Sequence, residues 1–219
     1  MQVIAYGENG VVGELHRPDQ PDGRGLVLTH GAGGNCRAPL LVRVAEAACA
    51  RGLHALRCDL PFRQRRRSGP PSPASAAADR EGLQQAVRSL RRLASGPIFL
   101  GGHSYGGRQA SMLAADDSSI ATRLLLLSYP LHPPTMPERL RTEHFPRLQV
   151  PAVFVHGTRD PFGAIDELEG ALAMIPAETR LLIVEGAAHD LKGGRFELAP
   201  ALAALLDRER TLRRKEGWQ

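Results

Sequence analysis

The chain has 219 residues, a formal net charge of +5 and a pI near 9.6, with 42% apolar and 23% charged residues. That balance supports a packed core and excludes disorder, collagen-like repeats and a disulfide scaffold, and the length points to one domain spanning 1–219. No apolar run approaches the roughly 18 residues a membrane helix needs, and Met1–Tyr6 lacks a basic start and a long apolar stretch, so neither membrane nor signal peptide is expected and a cytoplasmic location is.

Taken in chain order, Gln2–Tyr6 and Val11–His16 read as short strands joined by Gly7-Glu8-Asn9-Gly10, where Asn-Gly is a strong hairpin signal. Leu26–His30 is an apolar run without alternation, as in a strand buried on both faces. Leu41, Val44, Ala45 and Ala48 share one face of a helix that Gly52 ends. Leu53–Cys58 is a strand, and Pro61–Pro73, with its arginines and prolines, reads as a loop. Ala76–Ala94 is a helix with Leu83, Val87, Leu90 and Ala94 on one face, stopped by Gly96-Pro97. Then follow strand Ile98–Leu100, helix Tyr105–Ala115, strand Arg123–Tyr129, an irregular stretch Pro130–Val150, strand Ala152–His156, helix Ile165–Met174, strand Thr179–Glu185 and helix Phe196–Leu206. Strands alternating with helices predict an α/β fold, a mostly parallel sheet of about eight strands with helices on both faces and the first two strands antiparallel. The charged tail 207–219 is expected to fray.

Cys36, Cys49 and Cys58 match no paired zinc-ligand spacing and are odd in number, so buried reduced thiols are expected. Of the 28 basic residues only Lys192 and Lys215 are lysines, and aromatics make up 5%. Base-stacking surfaces interleave aromatics with basic side chains, so no nucleic-acid partner is expected.

The sharpest local signal is Gly101-Gly102-His103-Ser104-Tyr105-Gly106-Gly107, a G-x-S-x-G between a buried strand and a helix. Such a turn strains the serine backbone, lifts its oxygen out of the sheet and needs glycines on either side. A serine hydroxyl requires a base to become a nucleophile. His189, in Gly186-Ala187-Ala188-His189-Asp190, emerges from a strand end on the same edge of the sheet as Ser104. Histidines in or beside strands, such as His54 and His156, are expected to be structural. Asp160, between the other two in chain order, follows a strand at the same edge and can orient the imidazole; Asp190, next to His189, is badly placed to reach its ring. The loop His30-Gly31-Ala32-Gly33-Gly34 follows the first buried parallel strand, and the Ala32 and Tyr105 amides are the expected oxyanion hole, with His30 bracing the loop. It lacks the Gly-Lys-Ser/Thr ending of a phosphate loop. Arg63, Arg65, Arg66 and Arg67 follow a strand at the same edge; they form either a solvated loop or a guard that attracts carboxylate or phosphate groups of a substrate.

The order Ser104, Asp160, His189, the elbow, the H-G-A-G-G loop and the strand–helix rhythm resemble the α/β-hydrolase superfamily over nearly the whole chain. More narrowly, Ser128-Tyr129-Pro130-Leu131-His132-Pro133-Pro134, Phe145-Pro146-Arg147-Leu148 and His156–Gly163 look like the small hydrolases related to the testis-expressed hydrolase-like proteins. The resemblance implies a fold and a triad but no particular substrate. It also implies a site without a substantial lid, because the proline-rich Pro130–Val150 is short for the helical lid of larger relatives. The expectation is a serine hydrolase of esters or related acyl compounds that takes a small-molecule acyl substrate and needs no cofactor or metal. Its rivals are a scaffold or binding protein that kept the fold, and thioester, peptide or perhydrolysis chemistry on the same triad. The sequence does not specify an oligomeric state.

Overall fold

In the computed structural model, which describes residues 1–207, the chain opens with two strands, β1 (Gln2–Glu8) and β2 (Val11–Arg17). Asn9 and Gly10 turn between them with φ of 53° and 76°, the positive values a two-residue hairpin requires. There follow β3 (Gly25–Thr29), α1 (Pro39–Cys49), β4 (His54–Asp59), α2 (Pro61–Arg65), α3 (Ala76–Leu90), β5 (Ile98–His103) and α4 (Tyr105–Asp116). The chain continues through β6 (Arg123–Leu127), β7 (Ala152–Gly157), α5 (Ile165–Leu172), β8 (Thr179–Val184) and α6 (Leu198–Leu206).

The strands form one sheet in the order β1-β2-β4-β3-β5-β6-β7-β8. β2 runs antiparallel to β1 and β4, and every other pair is parallel. Side chains alternate across the sheet. Val27, Leu56, Leu100, Leu124, Leu126 and Phe154 meet α3, α4 and α5 on one face. Leu26, Leu28, Ala55, Phe99, Leu125, Leu127, Val153 and Val155 meet α1 and α6 on the other. This double cover explains why β3 and β6 are buried at every residue.

From β3 the chain goes to β4 on one side and later to β5 on the other, so the order reverses at β3. A crevice opens at such a switch point, beyond the carboxyl ends of the strands. The His30–Gly34 loop and Ser104 leave the sheet there.

Two expectations need correction. Pro61–Arg65 is a short helix rather than loop: Pro61 supplies a preset φ at the first turn, and Phe62 is buried. Leu126 and Leu127 end β6, and Ser128 turns away with φ 49°, earlier than the expected end at Tyr129. Between β6 and β7, the stretch from Ser128 to Pro151 contains one 3₁₀ turn, Phe145–Arg147, and no lid domain. Of the charged tail, Asp207 is held by Arg180 at 2.8 Å, and residues 208–219 lie outside the described residues. Cys36, Cys49 and Cys58 are buried and unpaired. Among the described residues no helix is long and apolar enough to cross a membrane.

Candidate active site

Ser104 is the whole connection between β5 and α4. Its φ of 52° and ψ of −118° lie where a non-glycine residue is strained by about 1–3 kcal/mol. Neighbouring bonds hold it there: its N–H donates to the Leu127 carbonyl at 2.8 Å and its carbonyl accepts the Arg108 N–H at 3.0 Å. The flanking glycines allow close approach of backbone to backbone. A Cβ on Gly102 would stand 2.8 Å from the Gly106 carbonyl carbon and from the Thr29 oxygen, and one on Gly106 would stand 2.5 Å from the His30 oxygen. Their small size therefore serves the packing of α4 onto the ends of β5 and β3 rather than clearance around Ser104 itself.

The three side chains expected to act together meet. Ser104 Oγ lies 2.8 Å from His189 Nε2, and His189 Nδ1 lies 2.9 and 2.8 Å from Asp160 Oδ1 and Oδ2. With Nδ1–H donating to the carboxylate, Nε2 is left to accept the Ser104 proton. The Asp160 side chain is 0% exposed and that of His189 22%. The Phe162 N–H donates to Asp160 Oδ1 at 2.9 Å, which fixes the carboxylate plane. His189 reaches Asp160 because the loop after β8 lies against the end of β7. A Cβ on Gly157 would stand 2.3 Å from the Ala187 carbonyl oxygen, and Arg159 N–H donates to that oxygen at 2.9 Å. Asp190 points away, its Oδ1 accepting the Lys192 N–H at 3.0 Å.

The His30–Gly34 loop lies against the elbow: a Cβ on Gly31 would stand 3.4 Å from Ser104 Cβ. Leu60 N–H donates to His30 Nε2 at 3.1 Å, so the ring proton sits on Nδ1 and donates to the Gly31 carbonyl at 2.8 Å. Burial pushes the His30 pKa down, and the nearby Arg63 charge acts in the same direction. His30 thus braces the loop as a neutral ring. Tyr105 is held at its hydroxyl, which donates to buried Asp79 at 2.8 Å.

The arginines divide. Arg63, expected with the others at the site mouth, is 6% exposed and turned inward. Its Nε donates to Gly34 O at 2.7 Å, Nη1 to Arg66 O at 3.1 Å, and Nη2 to Ala32 O at 2.8 Å and Gly69 O at 3.0 Å. A guanidinium saturated by carbonyls has little left for a substrate. Arg65, Arg66 and Arg67 are exposed and have no carboxylate partner among the described residues.

A family model described as an alpha/beta hydrolase domain matches residues 22–199. The chain belongs to the α/β-hydrolase family. Similar solved folds include a dienelactone hydrolase from Anabaena variabilis, 24% identical, with TM-score 0.71 over 93% of this chain and 95% of that one. A serine hydrolase without a lid from Xanthomonas campestris is 16% identical, with TM-score 0.72 over 100% and 97%. Est1E from Butyrivibrio proteoclasticus, solved with ferulic acid bound, is 17% identical, with TM-score 0.70 over 92% and 96%. At these identities the likeness is one of fold.

Two side chains in this α/β-hydrolase escaped the sequence reading. Phe162 packs its ring against that of His189 in a tilted stack, centroids 4.2 Å apart and planes 33° apart. His103 Nε2 lies 2.7 Å from the His189 carbonyl and tethers the loop that carries the base. Phe162 could have been sought from its place two residues after Asp160; for His103 the only signal was its position before the serine. His156, expected to be structural, does donate from Nε2 to the Gly163 carbonyl at 2.9 Å, but it also stands 3.7 Å from Asp160 Oδ2.

Proposed function

We propose that this α/β-hydrolase is a serine esterase that cleaves an ester or related acyl bond through an acyl-enzyme. The continuous chain Ser104 Oγ–His189–Asp160, with both contacts at hydrogen-bond distance, carries the reading. His189 Nε2 takes the hydroxyl proton as Ser104 Oγ attacks the substrate carbonyl carbon. Electrons move onto the carbonyl oxygen, and the Ala32 and Tyr105 N–H groups receive that oxyanion. Tyr105 opens α4, where an N–H has no intrahelical acceptor. Ala32 N–H bonds to no acceptor among the described residues. His189 then passes the proton to the leaving oxygen, and the alcohol departs. Water, deprotonated by His189, attacks the acyl-enzyme, and collapse releases the acid and returns the proton to Ser104. Asp160 stabilises the imidazolium in both halves, and the scheme calls for no metal or organic cofactor.

The acid-bearing substrate class is favoured by Arg65, Arg66 and Arg67. Their loop adjoins the Ala32 loop, because Arg63 Nη2 bonds Ala32 O and Gly69 O together. Three buried free thiols accord with a reducing, cytoplasmic location.

The test is labelling by a fluorophosphonate together with turnover of p-nitrophenyl esters of graded chain length. Ser104→Ala is expected to abolish both while far-UV circular dichroism is unchanged, a kcat loss on the order of 10⁶ for a triad nucleophile. Turnover by that variant above a few per cent of wild type removes Ser104 from the chemistry, and a folded wild type that neither labels nor turns over favours a binding protein.

A further inference from the structure

We propose that Arg63 is a positioning residue for the oxyanion hole, holding the Ala32 peptide through the carbonyls around it. The catalytic part of the proposal rests on the serine-esterase reading above.

The loop needs such a brace. It contains Gly31, Gly33 and Gly34, so its backbone has wide freedom to lose, and a single bond, Gly34 N–H to Gly31 O at 3.0 Å, closes its turn. Peptide planarity ties the Ala32 N–H to the Gly31 carbonyl: with that oxygen held by Gly34 N–H and by His30 Nδ1–H, the Ala32 N–H points the opposite way. The next peptides are held by Arg63, whose Nη2 takes Ala32 O and whose Nε takes Gly34 O. Guanidinium is a rigid planar fork, so two bonds from it set the orientation of two peptides at once.

Its remaining bonds, to Arg66 O and Gly69 O, anchor the fork to the end of α2 and the loop beyond. α2 is itself fixed. Phe62 N–H donates to Asp79 Oδ1 at 3.0 Å, and the Phe62 ring lies 5.6 Å from His30 and 5.7 Å from Tyr105. Asp79 Oδ2 accepts the Tyr105 hydroxyl. Both amides of the hole, far apart in the chain, are thereby referred to one five-residue helix. Arg63 reaches the Ala32 side, and Phe62 with Asp79 reaches the Tyr105 side. The spacing between the amides depends on that pair of links.

The experiment uses the full chain with Arg63→Ala and Arg63→Lys. Lysine keeps the charge and much of the buried stem but cannot bridge four carbonyls, which also guards against a variant that fails to fold. With p-nitrophenyl acetate as probe, both variants are expected to lose about 10²-fold in kcat while KM stays within about 3-fold, as for a group acting in the transition state alone. In hydrogen exchange read by mass spectrometry, peptides covering residues 29–36 are expected to exchange at least about 10-fold faster, with those of β5 and β6 unchanged. A kcat within about 3-fold of wild type, a rise in KM at constant kcat, full activity in Arg63→Lys, or unchanged exchange in 29–36 overturns the proposal. If the wild type does not turn over the ester, the esterase reading falls, while the exchange measurement still decides whether Arg63 holds the loop.

Discussion

At the residue scale, the strain at Ser104 and the burial of Asp160 belong to one arrangement. A serine at φ 52° is held by bonds on both sides, so its hydroxyl presents to His189 without having to be ordered first. Asp160, fully buried, accepts from the ring of His189 and from the Phe162 N–H, and so favours one tautomer and one carboxylate plane. Asp160→Asn offers the ring an amide N–H where it needs an acceptor, and kcat should fall by roughly 10³–10⁴. Asp190→Asn removes a partner of Lys192 and should cost no more than about 3-fold. The two kcat values, measured side by side on one p-nitrophenyl ester, check the assignment, and a reversed ranking transfers the acid's role to Asp190. The serine, the histidine and this aspartate were legible because each follows a strand that the hydrophobic pattern identifies. Phe162 and His103 were not, since stacking and tethering depend on where two distant loops come to lie.

At the scale of elements, α2 shows what local reading missed. A stretch dense in arginine and proline resembles solvated loop, yet Pro61 starts a helix and Arg63 turns inward to carbonyls contributed by a loop about thirty positions away. No spacing rule marks an arginine whose partners are backbone oxygens. The next three arginines remain outside, and Arg66 folds over Gly69, its Nη2 3.1 Å from where a Cβ there would stand. Changing Arg65, Arg66 and Arg67 together to Gln is expected to lower kcat/KM for an ester carrying a carboxylate by about 10-fold and to spare its neutral analogue. In the wild type the preference should shrink between about 0.1 and 1 M salt, as the Debye length falls from about 10 to 3 Å. Equal salt dependence for both esters returns the three arginines to a solvent-facing role.

At the scale of the whole molecule, stability should fall in acid because buried histidines are held neutral. Burial, helped by Arg57, pushes the His16 pKa down to about 4, and burial with Arg108 and Arg147 does the same to His144. Glu14 near His16 and Asp116 near His144 oppose these effects without cancelling them. The unfolded chain then binds more protons than the folded one between about pH 6.5 and 4. The stability that these histidines contribute is full above that window and is lost through it, by up to about 3 kcal/mol per histidine, while carboxylates held below their usual range, such as Glu14 and Asp22, extend the decline further into acid. Urea midpoints from pH 7.5 to 4 should trace this decline, and His144→Gln, neutral throughout, should make it shallower without abolishing it, because burial also lowers the pKa of His16, His30, His54 and His103. An unchanged slope in that variant means that the titrating groups lie elsewhere.

The sequence by itself determined the class of fold, about eight strands and the core-facing sides of α1 and α3, because apolar runs without alternation mark strands covered on both faces and a period of 3.6 marks one face of a helix. It also marked the elbow, since a strained turn between a strand and a helix calls for serine among glycines at fixed offsets. Only the tertiary structure decided the distances that turn Ser104, His189 and Asp160 into one hydrogen-bonded chain, the inward turn of Arg63, and the stacking of Phe162 on His189. Those depend on how closely the loops at the carboxyl edge of the sheet approach one another. That approach is governed by packing between residues distant in the chain, such as Gly157 against Ala187 and Gly31 against Ser104, and it leaves no period in the sequence.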